Sequence, residues 1–168
     1  MNPSLTIVIL TYNEALHIER ALQSIAQIST RIFIVDSDSS DRTVEIATQY
    51  GAEILKNKFI NQAKQFQWAL DNIPFNTDWV MRLDADEIIE PDLAREICEK
   101  LPKLPANVYG VNLKRKHIFM HHWVRHGGRY PLLMLRIFRR DKGRVEDRWM
   151  DEHITVKDGR TVSFDGGF

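Results

Sequence analysis

Asp84, Asp86 and Glu87 form the group in this 168-residue chain whose types and spacing point most directly to chemistry. They follow Trp79-Val80-Met81-Arg82-Leu83, an apolar, β-rich run that predicts a short buried strand. In an extended chain residues i and i+2 share a side, so Asp84 and Asp86 are expected to converge while Ala85 faces away. Two carboxylates so placed repel unless a positive charge lies between them, and a hard divalent cation with oxygen ligands meets that need. Such a cation keeps several waters and takes further ligands from phosphate oxygens. The expectation is a metal-held diphosphate at the end of this strand. Alone, Asp-x-Asp also describes many solvated acidic turns. A site requires other polar groups brought to the same place.

The elements that would bring them are legible upstream. Residues 5–10, Leu-Thr-Ile-Val-Ile-Leu, are a short apolar run typical of a strand buried on both faces. Asn13 is read as an N-cap, and Ala15, Ile18, Leu22 and Ile25 recur after it at helical spacing. Residues 31–36 predict a second buried strand. The polar turn after it ends at Asp41, read as the cap of a helix to about Tyr50, which Gly51 terminates. A third strand at 52–55 and a helix over 61–70 precede the Trp79 strand. Pro91 suits the first turn of another helix, to about Leu101. Strand–helix alternation of this kind implies a parallel sheet with helices on both faces. Residues 108–113, 132–138 and 154–156 then predict strands without intervening helices, so the sheet is expected to become mixed. A long loop or hairpin spans 117–131. No repeat or linker divides the chain, and a single domain over 1–168 is expected.

In open α/β sheets ligands bind beyond the carboxyl ends of the strands. Thr11-Tyr12-Asn13-Glu14, the cluster from Asp36 to Asp41, and Asp84-Ala85-Asp86-Glu87 all fall at such ends. Neither Gly-x-Gly-x-x-Gly nor Gly-x-x-x-x-Gly-Lys follows the first strand, which argues against dinucleotide and P-loop sites. Charge is divided unevenly within a formal net of zero: residues 1–110 carry −6, residues 111–148 carry +8 and the last twenty −2. The basic segment could meet a phosphorylated acceptor or membrane headgroups, or be a solvated face. No apolar run reaches the length of a membrane span and the start does not read as a signal peptide. The single Cys98 excludes an internal disulfide and fits a reducing compartment.

Taken in order, Thr11-Tyr12-Asn13-Glu14, Val35-Asp36-Ser37-Asp38-Ser39-Ser40-Asp41-Arg42-Thr43 and Leu83-Asp84-Ala85-Asp86-Glu87 resemble the family 2 glycosyltransferases of GT-A fold. Arg136-Ile137-Phe138-Arg139-Arg140 and Met150-Asp151-Glu152-His153 resemble the branch that builds bacterial lipopolysaccharide core and exopolysaccharides. The resemblance covers nearly the whole chain. It implies a three-layer α/β sandwich whose mainly parallel sheet turns mixed towards the C-terminus. Residues 1–110 would bind the nucleotide-sugar and 111–168 would form the acceptor side. Thr11, Tyr12, Asn13 and Glu14 would border the nucleotide, with Asp36 accepting from a base N–H. At Asp38 the family's usual glycine is missing, although aspartate tolerates a left-handed backbone. Lys64 and Gln65 lie where the family contacts the nucleotide, or else on a solvent-facing helix. Asp86 would contact Mn²⁺ or Mg²⁺, and Asp84 the ribose or a metal-bound water.

The reaction so implied is an inverting displacement on a UDP- or GDP-sugar by a saccharide or lipid-linked acceptor. It needs a carboxylate base and a cation at the leaving diphosphate. Glu152, beside His153, matches the base position, with Asp151 as the alternative. The other histidines, His117, His121, His122 and His126, have no metal-ligand spacing and are read as polar loop groups. Trp123 and Tyr130 could stack on a sugar, and Arg125, His126 and Arg129 could approach the diphosphate or acceptor. Of Arg136, Arg139 and Arg140 only some can face one site. The family usually continues past the equivalent of Ser163-Phe164-Asp165-Gly166-Gly167-Phe168, so the chain is expected to lack a closing element at its C-terminus. A cytoplasmic location, with peripheral contact at the inner face of the membrane, and no nucleic-acid partner are expected. Two alternatives stay open: a weak or inactive nucleotide-sugar-binding fragment, and a sugar nucleotidyltransferase, which would carry a Gly-rich basic loop after the first strand.

Overall fold

The structure, a computed structural model, describes residues 3–116, 118–120, 122–124, 132–146 and 153–168. At its centre runs β1 (Leu5–Thr11), buried almost throughout. Leu5, Ile7 and Ile9 join one apolar cluster and Val8 the other, the two-residue alternation of a strand covered on both faces. On one side β1 pairs in parallel with β2 (Arg31–Asp36), and β2 with β3 (Glu53–Lys56). On the other it pairs in parallel with β4 (Trp79–Asp84). Parallel neighbours need crossover connections. These are α1 (Ile18–Ile25), α2 (Thr43–Gln49) and α3 (Gln62–Asn72), with α4 (Pro91–Lys100) and a 3-10 turn (Leu101–Lys103) after β4.

The later strands are β5 (Val108–Arg115), β6 (Ile118–Phe119), β7 (His122–Trp123), β8 (Leu132–Arg139), β9 (Gly143–Val145), β10 (Ile154–Val156) and β11 (Arg160–Gly167). β8 runs antiparallel between β4 and β5, and β11 lies parallel to β5 at the edge. The sheet order is β11-β5-β8-β4-β1-β2-β3, the expected parallel sheet turned mixed. Ile18, Ala47 and Leu93 bring α1, α2 and α4 to one face. Phe66 and Ala69 bring α3 to the other, where Phe66 meets Phe138 edge-on at 6.3 Å between ring centres.

Two expectations are corrected. Asn13 does not cap α1: the helix begins at Ile18, and Asn13 sits in a left-handed turn at φ 55°. Residues 154–156 do not enter the main sheet but pair with β9 as a ribbon, with Ile154 and Val145 packed into the cluster on the α3 face. Residues 160–167 form an edge strand of the sheet. That strand is hard to read because its pairing is interrupted between Ser163 and Gly167. The interruption frees the backbone N–H groups of Asp165 and Gly166, and both donate to Glu96 Oε2 at 2.8 Å. A Cβ on Gly166 would lie 2.4 Å from Leu93 Cα, so the approach of β11 to α4 requires glycine.

Candidate functional site

The parallel registers Thr11–Asp36 and Leu10–Asp84 bring the ends of β1, β2 and β4 to one edge of the sheet. At the first pair, Asp36 is 1% exposed and accepts three hydrogen bonds. The Thr11 hydroxyl donates to Oδ1 at 2.8 Å, the Ser39 hydroxyl to Oδ1 at 2.6 Å and the Ser39 N–H to Oδ2 at 2.8 Å. The loops after β1 and β2 are then laced together. Asn13 N–H donates to Ser39 Oγ at 2.9 Å, and Ser40 N–H to Asn13 Oδ1 at 2.8 Å. Glu14 N–H donates to Thr43 Oγ1 at 2.7 Å and Ala15 N–H to Asp41 Oδ2 at 3.0 Å. Asp38, exposed at φ 61°, takes the left-handed position that lacks a glycine. Asp41 also accepts from the Thr43 hydroxyl and N–H, bonds that hold its carboxyl below the usual range.

At the end of β4 the extended chain stops at Asp84 and a turn begins, closed by Glu87 N–H donating to Asp84 O at 3.0 Å. The strand alternation invoked to align Asp84 with Asp86 therefore does not continue past Asp84. Ala85 is buried and Asp86 exposed. Asp84, 32% exposed at its side chain, receives Arg82 Nε and Arg136 Nη2, each at 3.3 Å. Arg136 Nη2 also donates to Glu87 Oε1 at 2.7 Å, and Asp84 N–H to Glu87 Oε2 at 3.0 Å. Burial alone would raise the Asp84 carboxyl, but Arg136 and Arg82 outweigh it and hold it low. Glu87 is pushed up, by burial first and then, against the pull of Arg136, by Asp84. Asp84 and Glu87 thus share an ionic cluster with Arg82 and Arg136, and Arg115 Nε lies 3.9 Å from Glu87 Oε1.

Three abutting clefts open on this edge. One of about 390 Å³ is lined by Thr11, Tyr12, Glu14, Ser37 and Phe59. One of about 530 Å³ is lined by Arg82, Asp84, Asn112, Arg136 and His153. Gln62 borders both. A third, of about 560 Å³, carries Asp86, Glu87, Lys116 and Phe168, and shares Arg115 with the second. Lys64 lies on the exposed face of α3 and lines none of the three, whereas Gln65 is buried and reaches Ser37. Phe59, Gln62, Arg82 and Arg115 are lining residues that the sequence reading did not single out. The available signal was an arginine inside an apolar strand run, as Arg82 stands in β4 and Arg136 in β8.

Asp86 makes no hydrogen bond or ion pair among the described residues. Glu14, on the neighbouring loop, is pushed up by burial and next by the charge of Asp86. An exposed, uncommitted carboxylate with a second acid in its field fits a hard cation held through oxygen. Asp84 is already balanced by arginine, which leaves Asp86 the less committed of the two carboxylates. Among the described residues no three His, Cys, Asp or Glu side chains are grouped to hold a metal. Asp151 and Glu152, the expected base and its alternative, lie outside the described residues. So do His117, His121, Arg125, His126, Arg129, Tyr130 and the side chains of His122 and Trp123.

The model of the family described as "Glycosyl transferase family 2" matches residues 6–161. The chain belongs to that family. A relative named "Uncharacterized glycosyltransferase" in Rickettsia bellii is 39% identical over 89 residues, covering 53% of this chain and 30% of its own length. One from Rickettsia conorii is 37% identical over 101 residues, covering 58% and 35%. The chain thus spans about a third of the length of these curated relatives. A mannosyltransferase from Pyrobaculum calidifontis, solved with GDP-Man and Mn²⁺, superposes with a TM-score of 0.58 at 20% identity, covering 83% of this chain and 45% of that one. S. aureus TarS with UDP-GlcNAc gives 0.54 at 18% identity, over 75% and 37%. This family 2 chain has the GT-A fold of those neighbours, and the clefts lie at the strand ends where such open α/β sheets take ligands.

Proposed function

We propose that this family 2 chain is the donor-binding domain of an inverting, metal-dependent glycosyltransferase, acting from a UDP- or GDP-sugar. The observation that carries this reading is the uncommitted Asp86 just past the end of β4, in one of three abutting clefts large enough for a nucleotide and a sugar. Thr11, Tyr12 and Glu14 line the 390 Å³ cleft, where the exposed rings of Tyr12 and Phe59 offer apolar faces to a nucleobase. Mn²⁺ or Mg²⁺ at Asp86, with Asp84 behind it, would neutralise the leaving diphosphate. Arg82, Arg115 and Arg136 add positive charge along the 530 Å³ cleft, partly matched by Asp84.

In the displacement, the acceptor oxygen bonds to the anomeric carbon while the bond to the diphosphate oxygen breaks. The acceptor proton passes to a carboxylate, assigned to Glu152 with Asp151 as the alternative. Support for that assignment is that His153, the next residue, lines the same cleft as Asp84. The acceptor is read as a saccharide or lipid-linked glycan of bacterial surface polysaccharide, in keeping with the +8 charge of residues 111–148 and the motif resemblance. Residues 1–168 are read as one domain. No helix among the described residues is long and apolar enough to cross a membrane. The test is transfer or hydrolysis from UDP-, GDP- and dTDP-sugars with and without Mn²⁺, alongside thermal stabilisation by each nucleotide. A metal-dependent response to at least one is expected. If no nucleotide stabilises the protein with metal present, the reading is wrong.

A further inference from the structure

Ser37 follows Asp36 and lines the 390 Å³ cleft. Its position is fixed from two sides. Its N–H donates to Thr11 O at 3.0 Å, which holds the backbone against β1. Its hydroxyl is held by Gln65, a side chain 1% exposed that reaches across from α3. Gln65 Nε2 lies 3.0 Å from the backbone carbonyl of Asn57 and 3.1 Å from Ser37 Oγ, while Gln65 Oε1 accepts from Asn57 Nδ2 at 2.8 Å. A backbone carbonyl can only accept, so the amide nitrogen must face Asn57, and its second N–H is committed to Ser37. Ser37 Oγ therefore accepts from Gln65. Its own proton takes no acceptor among the described residues and is left for the cleft.

The buried amide thus ties Asn57 to the half-buried Ser37 and, in doing so, fixes the direction in which the serine hydroxyl can donate. The cleft also carries the exposed rings of Tyr12 and Phe59, so a planar base lying there would bring an edge to the floor. We propose that Ser37, oriented by Gln65 and Asn57, donates its hydroxyl proton to a ring carbonyl of the donor's nucleobase and so sets base specificity. The chemistry selected is an oxo base, uracil or guanine, over adenine, whose edge offers an amine where those bases offer a carbonyl. This inference rests on the donor-site reading above, because it requires a nucleotide in the cleft.

The test is calorimetric titration of the full chain with UDP, GDP and ADP, each with Mn²⁺. Wild type is expected to bind UDP or GDP at least about tenfold more tightly than ADP, the effect of one well-placed hydrogen bond to a polar edge. Ser37→Ala should remove most of that margin and leave ADP affinity unchanged. Gln65→Glu, whose carboxylate draws the Ser37 proton inward, should weaken the oxo base by a similar factor, again without loss for ADP. A variant that merely damaged the cleft would weaken all three nucleotides together. Equal binding of an oxo base by wild type and Ser37→Ala overturns the assignment of Ser37 while leaving the donor site standing. Equal binding of ADP and the oxo bases by wild type overturns it too. Absence of binding by every nucleotide overturns the donor-site reading itself, and the assignment with it.

Discussion

β2 and β4 each end on an aspartate at the same edge of the sheet, yet the two are neutralised by opposite means. Asp36 is covered by uncharged donors, the hydroxyls of Thr11 and Ser39 and one backbone N–H. Asp84 is held by two guanidinium groups, with the buried Glu87 sharing one of them. Hydroxyl and amide donors are small, local and fixed by the loops they close, so the first turn is a rigid structural joint. Arginines come from distant strands and add net charge, so the second turn is an electrostatic balance that a bound cation or diphosphate would redistribute. The next carboxylate along, Asp86, is left outside that balance. A protein that needs one rigid wall and one responsive wall around a charged ligand could divide the work in this way.

The comparison breaks most severely at Arg136. Arg136→Met leaves Glu87, 8% exposed, beside Asp84 with its principal counter-charge gone. Removing one partner of a buried pair costs about 3–5 kcal/mol, to be read from urea unfolding. The penalty should depend on pH with a definite sign. Glu87 already titrates above its ordinary 4.5, from burial first and then from Asp84, and loss of Arg136 raises it further. A carboxyl raised in the folded state binds its proton more readily there, so the variant regains stability as pH falls through the folded value and gains nothing below 4.5. The deficit should therefore be greatest at about pH 8 and smallest at about pH 5. A deficit that grew on acidification would contradict the ionic account. Glu87→Leu added to Arg136→Met should recover much of the loss.

Asp86→Asn sharpens the contrast from the other side. Its carboxylate makes no hydrogen bond or ion pair among the described residues, so unfolding free energy should stay within about 0.5 kcal/mol of wild type. Metal-dependent transfer should fall on the order of a hundredfold or more, because a cation at a leaving group contributes several kcal/mol. Retention of full Mn²⁺-dependent activity would remove Asp86 from the site.

Much of this was legible because local chemistry and the long-range fold ask for the same residues. Strand ends were marked by abrupt changes from apolar to polar at Leu10, Val35 and Leu83. Gly51 takes φ 77° at a helix end, and Pro91 opens α4, as their backbone preferences require. What could not be read depends on groups far apart in sequence. Arg136 reaches Asp84 across 52 positions, and Glu96 caps the bulged backbone of β11 across 69 and 70. Asn13 has the chemistry of a helix cap, but Ser39 and Ser40 offered better partners from another loop. The acidic turn itself shows both sides: its location followed from the strand before it, whereas the division between Asp84 and Asp86 followed from arginines that no spacing rule connects to it.

The smallest predicted effect belongs to the rigid turn. Thr11→Val keeps the shape of the side chain and removes one of the three donors to Asp36. The carboxylate stays bound to Ser39 through two others, so the loss should be about 1–2 kcal/mol in unfolding free energy rather than the full cost of an abandoned buried charge. The charge balance at Asp84 and the exposed carboxylate at Asp86 are untouched. Thermal stabilisation by Mn²⁺ alone should therefore match wild type, measured as the shift between metal-free and metal-saturated melts. Asp86→Asn should show the reverse pattern, normal stability without metal and no shift with it. If Thr11→Val also abolished the Mn²⁺ shift, the two turns would be a single coupled unit, and the hydroxyl-closed joint would be part of the cation site.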